Sequence, residues 1–301
     1  MKPQFYFFFT FYTLLFLFYP GGSHYFNRFA FGRSTFADSR VKSTYTLRPV
    51  PYLRIPYNVP QTTAEGIYIV DLPTFTPIFE QMAKGRFFPA STTKIITALV
   101  TYDIYNPDDV VTIKEIKEDG QVMGLVSGER ITVENLLYGM LVHSGNDAAY
   151  VLASNYGYER FIDLMNLKAR NLGMSMSHFN NPSGLDEFDN YTTPYDLALA
   201  ARELLKNKYL SKIVSTRDIT VSDTDFKYFH KLTNINKLLG EVAGLGGLKT
   251  GYTENAGENL VSYFKENGHD FIIVVLKSED RFQDTRNIID WIRTNVDYIQ
   301  I

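Results

Sequence analysis

Three short motifs stand in a fixed order in this chain: Ser91-Thr92-Thr93-Lys94, Ser144-Gly145-Asn146 and Lys249-Thr250-Gly251. If they act together, the fold must bring three segments distant in sequence to one place, and few folds meet that demand. Ser91 and Lys94 lie three apart at the start of an apolar stretch, so on a helix they share one face with side chains close enough to touch. A serine hydroxyl is a poor nucleophile until a base removes its proton. A lysine serves as that base only when its pKa falls, through burial or a second cation nearby. Ile95, Ile96 and Leu99 offer the burial, and Lys249 is the candidate second cation. Taken alone, the pair reads equally as a helix N-cap serine and a surface lysine.

Ser144-Gly145-Asn146 falls at a turn between two expected helices, and Gly145 permits a tight bend there. Ser144 can relay a proton to a leaving amine, and the Asn146 amide can hold a substrate amide group. An ordinary helix cap followed by Asp147 is the alternative. Lys249 and Thr250 lie on an expected strand and both attract a carboxylate, one by charge and one by hydroxyl hydrogen bond. Gly251 leaves room for an extended substrate backbone along the strand. Backbone N–H groups of Ser91 and Tyr252 then offer an oxyanion hole. A surface lysine on a strand near a turn explains the tripeptide if it is taken alone. His143 and His178 lack a partner at informative spacing and read as structural. No zinc-type spacing, P-loop or G-x-G-x-x-G after a strand is present, so neither metal nor cofactor is expected.

The composition, 45% hydrophobic and 21% charged over 301 residues with a net charge of -3, is that of a globular chain without a basic block for nucleic acid. The absence of cysteine excludes disulfides and thiol chemistry but not export. Residues 5–19 are almost wholly aromatic and aliphatic, follow Met1 and Lys2, and end at Pro20-Gly21-Gly22-Ser23. The run is short against the roughly 20 residues of a membrane span. It fits the apolar core of a secretory signal, with Gly21 and Ser23 as small residues of a cleavage site. A retained anchor or a buried helix are the alternatives. Arg28, Arg33 and Arg40 just beyond it argue against simple insertion.

The expected organisation is therefore a signal peptide or N-terminal membrane anchor over residues 1–23, a proline-containing tether over 24–62 and a catalytic domain over 63–301, with no C-terminal β domain. Strands are expected over 66–71, 218–222, 248–253, 259–266 and 270–276, with Thr74 to Phe79 a possible partner confined to an edge by Pro77. Helices are expected over 92–102, 133–141 and 147–156, around Phe161 to Leu172, from Thr193-Pro194 onward, and over 282–297. Asn267-Gly268 marks a hairpin. Early strands pairing with the late meander give an α+β domain with a helical lobe inserted between strands.

The motifs, in the settings Phe88-Pro89-Ala90-Ser91, His143-Ser144-Gly145-Asn146-Asp147-Ala148 and Gly247-Leu248-Lys249-Thr250-Gly251-Tyr252-Thr253, with Pro182-Ser183-Gly184-Leu185-Asp186 between them, resemble those of the low-molecular-mass penicillin-binding proteins, the serine D-Ala-D-Ala carboxypeptidases. The likeness runs from about residue 66 to the last. It implies a penicillin-recognising, β-lactamase/transpeptidase-like fold, an antiparallel sheet flanked by helices. It implies that Ser91 is acylated by the penultimate D-alanine carbonyl of a peptidoglycan stem, with Lys94 as base and Ser144 and Lys249 as proton relay. Thr250 would bind the terminal carboxylate, with Arg281 as a further basic residue near it. The expected partners are stem peptides ending in D-Ala-D-Ala, β-lactams as covalent inhibitors and, through the N-terminal segment, the cytoplasmic membrane. The expected location is outside that membrane.

An endopeptidase uses the same site. A β-lactamase is disfavoured by Ser144-Gly145-Asn146 in place of S-D-N and by the lack of an E-x-x-L-N. Intact reactive groups argue against a non-catalytic wall-binding module. Gly246 stands where the family commonly carries an aspartate, and the stretch between the first two motifs is short, so a loop bordering the site is expected to be trimmed.

Overall fold

The computed structural model describes residues 3–18, 49–117 and 119–299. Residues 3–18 form a compact unit of their own, helix α1 (Pro3–Phe18), 16 residues long. Thr10 and Thr13 do not interrupt it, because their hydroxyls donate to the carbonyls of Tyr6 and Phe9 one turn back. Its side chains over 4–15 are exposed, so it is not a buried core helix. Among the described residues no helix is long and apolar enough to cross a membrane.

The second unit begins earlier than expected. Strand β1 (Val50–Leu53) is followed by β2 (Gly66–Asp71) and β3 (Pro77–Gln81). Helices α2 (Lys94–Ile104), α3 (Val133–Leu141), α4 (Asn146–Tyr156), α5 (Tyr158–Asn171), α6 (Pro194–Lys206) and α7 (Lys208–Val214) build the inserted lobe. It also carries the short ribbons β4 (Val110–Thr112) with β5 (Arg130–Thr132) and β6 (Asp218–Ser222) with β7 (Phe229–Thr233). The chain closes with β8 (Leu245–Thr253), β9 (Gly257–Glu266), β10 (His269–Ser278), α8 (Arg281–Asn295) and β11 (Val296–Ile299).

The main sheet has five strands in the order β3-β2-β10-β9-β8, every pair antiparallel. The early strands thus join the late meander, as the pattern predicts. Alternation along β10 sends Ile272, Val274 and Leu276 into the core shared with the helical lobe, and Phe271, Ile273 and Val275 into a second core under α8. Pro77, which has no N–H to give, opens the edge strand β3. Asn267 and Gly268, with φ of +50° and +82°, make the β9–β10 turn. Thr132, Thr193 and Asp280 cap α3, α6 and α8 with side-chain oxygens.

The tether over 24–62 needs correction. Its first half lies outside the described residues. From Val50, however, β1 pairs with β11 in the register Val50↔Ile299 to Leu53↔Val296. Beyond it Trp291 Nε1 donates to the Asn58 carbonyl at 3.0 Å, and Asn287 Nδ2 to the Gln61 carbonyl at 2.9 Å. Residues 49–62 are the skin of the α8 layer, so the folded domain includes them.

Candidate active site

Ser91 sits in a 3₁₀ turn, Ala90–Thr93, that leads into α2. Ala90 holds φ at +46°, a left-handed conformation uncommon for a residue with a side chain. Two devices fix this turn. Asn259 on β9 donates Nδ2 to the carbonyls of Phe88 (2.9 Å) and Pro89 (3.2 Å). Gly251 on β8 lies so close that a Cβ there would stand 3.0 Å from both Ser91 N and Ala90 Cβ. The missing side chain at Gly251 makes room for the nucleophile turn, and Gly251 also lines the cleft beside Ser91.

Lys94 is wholly buried, and its Nζ donates to Ser91 Oγ (2.9 Å), Asn146 Oδ1 (2.5 Å) and the Ser183 carbonyl (2.9 Å). Burial disfavours the cation and lowers its pKa from the usual lysine range to about 7, against a weaker upward pull from the Asp147 carboxylate. The shift brings the free amine within reach near neutral pH, and a free amine at this distance is placed to accept the Ser91 proton.

Ser144 and Lys249 form a second pair. Ser144, with φ of +64°, receives a hydrogen bond from Lys249 Nζ at 2.8 Å, and the same Nζ donates to the Thr250 carbonyl at 3.0 Å. Burial holds the Lys249 pKa well below the usual range, and repulsion from Lys94 and Arg281 adds to this. Residue types alone suggest that Lys249 attracts a carboxylate by its charge. Its burial and the neighbouring cations disfavour that charge, and its Nζ is held on Ser144.

The pairs face one cleft of about 290 Å³, lined by Ser91, Ser144, Thr250, Tyr252 and Arg281 together with Gln121 and Ile235. Arg281 opens α8 and donates Nη1 to the Gly251 carbonyl at 2.7 Å, while its Nε lies 3.9 Å from the Glu258 carboxylate and has no hydrogen-bond partner among the described residues. Tyr252 is exposed. Of the expected site residues Ser91, Ser144, Thr250, Gly251, Tyr252 and Arg281 line the cleft, and Lys94, Lys249 and Asn146 are buried behind them. Asn146 Oδ1 accepts from Lys94 and its Nδ2 donates to the Asp119 carbonyl at 2.6 Å. Both ends of the Asn146 amide, expected to hold a substrate amide, are thus engaged by Lys94 and the Asp119 carbonyl.

Several supporting residues escape sequence reasoning. Asp147 accepts from the N–H groups of Met123, Gly124 and Leu125, pinning the loop that brings Gln121 to the cleft. Asn181 Oδ1 accepts from Ser183, Gly184 and Leu185 N–H groups, an Asx-type turn that aims the Ser183 carbonyl at Lys94. The only local signal was the acidic first turn of α4 and the Asn-Pro-Ser-Gly run. Gly246 is explained by packing, because a Cβ there would run into the Tyr263 ring at the bulge between Leu245 and Leu248.

Comparison with known proteins agrees with this geometry. The peptidase S11 family model, described as D-alanyl-D-alanine carboxypeptidase, matches residues 55–280. D-alanyl-D-alanine carboxypeptidase DacF of Bacillus subtilis (strain 168) is 33% identical over 222 residues, 70% of this chain and 57% of that protein. The D-alanyl-D-alanine carboxypeptidase of Streptomyces sp. (strain K15) is 34% identical over 239 residues, 73% of this chain and 82% of that protein. The chain thus spans little more than half the length of the Bacillus relative. Among solved structures, the Streptomyces K15 DD-transpeptidase aligns with a TM-score of 0.74 at 32% identity, over 78% of this chain and 98% of that one. The D-alanyl-D-alanine carboxypeptidase of Mycobacterium tuberculosis H37Rv aligns with a TM-score of 0.74 at 26% identity, over 78% and 92%. These neighbours share the penicillin-recognising α+β fold.

Proposed function

Because the chain belongs to the peptidase S11 family of D-alanyl-D-alanine carboxypeptidases, we propose that it is a serine D,D-carboxypeptidase that removes the terminal D-alanine of peptidoglycan stem peptides. The observation that carries this reading is a buried Lys94, its pKa brought to about 7, hydrogen-bonded to Ser91 Oγ at the floor of the cleft. Ser91 Oγ attacks the penultimate D-alanine carbonyl while Lys94 Nζ takes the hydroxyl proton. The N–H groups of Ser91 and Tyr252 hold the oxyanion. Ser144 gives its hydroxyl proton to the leaving nitrogen as the C–N bond breaks and is reprotonated, by way of Lys249, with the proton that Lys94 took from Ser91, so that Lys94 is a free amine again. D-Alanine departs with its carboxylate between Thr250 and Arg281. Water then attacks the ester carbonyl and gives a proton to the free Lys94 amine, which passes it to Ser91 Oγ as the ester C–O bond breaks. A β-lactam acylates the same oxygen. The reaction lies outside the cytoplasmic membrane, with the N-terminal segment as leader or anchor.

A second reading has a specific support: the Streptomyces K15 neighbour carries the name DD-transpeptidase, and an amine in place of water would turn the same acyl-enzyme to transfer. The test is D-alanine release from an N-acylated peptide ending in D-Ala-D-Ala, as free acid and as C-terminal amide, with fluorescent penicillin labelling mapped by mass spectrometry. The expected result is labelling at Ser91 and a kcat/KM at least about tenfold higher for the free acid, because the amide leaves Thr250 and Arg281 without their charged partner. Equal rates would withdraw the carboxypeptidase in favour of an endopeptidase, and product formed with an added amine acceptor measures transfer.

A further inference from the structure

A second cavity of about 290 Å³ opens beside the segment that leads into the nucleophile turn, between Arg86 and Phe88 on one side and Phe188, Asp189 and Tyr191 on the other. The loop over residues 186–191 carries three acids. Asp186 accepts from Thr253 Oγ1 (2.8 Å) and Glu187 from Asn181 Nδ2 (2.9 Å), so both hold the loop in place. The Asp189 carboxylate makes no hydrogen bond or ion pair among the described residues, although it lines the cavity. Arg86 lies with its guanidinium 4.2 Å from the centre of the Tyr191 ring and also has no carboxylate partner among the described residues. Two opposite charges thus line one cavity without pairing. Phe188, 97% exposed, presents its ring beside them.

Strand β8 gives this cavity a relation to the cleft. On the D,D-peptidase reading, the leaving carboxylate sits at Thr250 and the scissile carbonyl at Tyr252. The acyl part of the stem therefore runs onward to Thr253, which is bonded to Asp186 at the head of the 186–191 loop. An extended chain advances about 3.3 Å per residue, so the residue before the penultimate D-alanine arrives where the loop begins.

We propose that this cavity reads the third residue of the stem and takes a side chain ending in a free amino acid head, ammonium and carboxylate on one carbon. Asp189 pairs with the ammonium, Arg86 with the carboxylate, and Phe188 covers the methylenes that lead to the head. A lysine-type side chain satisfies Asp189 alone. The proposal rests on the D,D-peptidase reading and names the substrate class of that site.

The test uses the full chain and three N-acylated tripeptides X-D-Ala-D-Ala, in which X is alanine, lysine or a diamino diacid. The expected order of kcat/KM is diacid, then lysine, then alanine. Arg86→Gln lowers the diacid at least about tenfold, toward the lysine value, and leaves lysine and alanine within about twofold. Asp189→Asn lowers both charged substrates and spares alanine. Both positions are exposed, so the substitutions leave the core untouched. One rate for all three substrates, or an equal loss on all three in Arg86→Gln, overturns the cavity assignment while D-alanine release continues. If the unaltered protein neither releases D-alanine from the alanine tripeptide nor is labelled by penicillin, the D,D-peptidase reading itself has failed.

Discussion

Lys94 and Lys249 are both sealed from water, at 0% and 2% exposure, and each places its Nζ on a serine hydroxyl, at 2.9 and 2.8 Å. Their company differs. Lys94 has two further acceptors, Asn146 Oδ1 and the Ser183 carbonyl, and the Asp147 charge favours its cation. Lys249 has one further acceptor, the Thr250 carbonyl, and two cations, Lys94 and Arg281, that oppose its own. Burial is the main cause that lowers both pKa values, and neighbouring charge then works in opposite directions, for the cation at Lys94 and against it at Lys249. On the proposed mechanism, the Ser91–Lys94 pair opens the carbonyl and the Ser144–Lys249 pair serves the departing amine.

The largest test of this contrast removes each lysine in turn. Lys94→Ala is expected to slow penicillin acylation and D-alanine release alike, by roughly 10²–10⁴-fold, the range of a lost general base. Lys249→Ala should slow peptide cleavage more than penicillin acylation, because a strained lactam expels its nitrogen with less help than a peptide does. Equal ratios on both substrates in Lys249→Ala would erase the distinction between the pairs.

The pH profile sharpens it further. The base must be unprotonated to act, and the Lys94 pKa is about 7. Acylation, measured as kcat/KM, should therefore rise about tenfold per unit below pH 7 and level off above about pH 8. The limb should vanish in Lys94→Ala and persist in Lys249→Ala. A flat profile down to pH 5 in the unaltered protein would remove Lys94 from the role.

The smallest expected effect comes from the contact that joins the two pairs across β8. Gly251→Ala puts a methyl 3.0 Å from Ser91 N and should displace the nucleophile from Lys94. A displacement of this size costs about tenfold, up to 10²-fold, in acylation rate. Stopped-flow acylation beside a thermal melt separates this from general destabilisation. An unchanged rate would mean that the Ala90–Thr93 turn absorbs the methyl.

What could be read from residues alone divides along physical lines. Strands β2 and β6 and helix α3 were legible to the residue, because each combines a clear period with local punctuation. Strands β1 and β11 were not. Each is four residues long, β1 contains Pro51, and each is a strand only because the other end of the chain lies beside it. At the site, the spacing of three suggests the Ser91–Lys94 pair, whereas Ser144 and Lys249 were found only through motifs that resemble those of a known family, and the fold places them in a second hydrogen-bonded pair. The contacts of Asn146 with Lys94 and the Asp119 carbonyl were not legible, since spacing reports which face a side chain occupies and not what has folded against it. Asn259, Asn181 and Asp147 act by holding distant backbone, a role that leaves no local pattern.

The β1–β11 ribbon also has a mechanical meaning. Val50 faces Ile299 and Leu53 faces Val296, so the chain enters and leaves the domain at the same end of the ribbon. Tension between those ends peels the pairs one after another from Val50 inward instead of loading them together in shear. The Arg54–Asp297 contact, at 3.1 Å, lies at the inner end and is reached last. The ribbon touches β3, at the opposite edge of the sheet from β8. A domain pulled by its ends therefore yields first at a seam remote from Ser91, and the catalytic edge keeps its shape while the seam gives way.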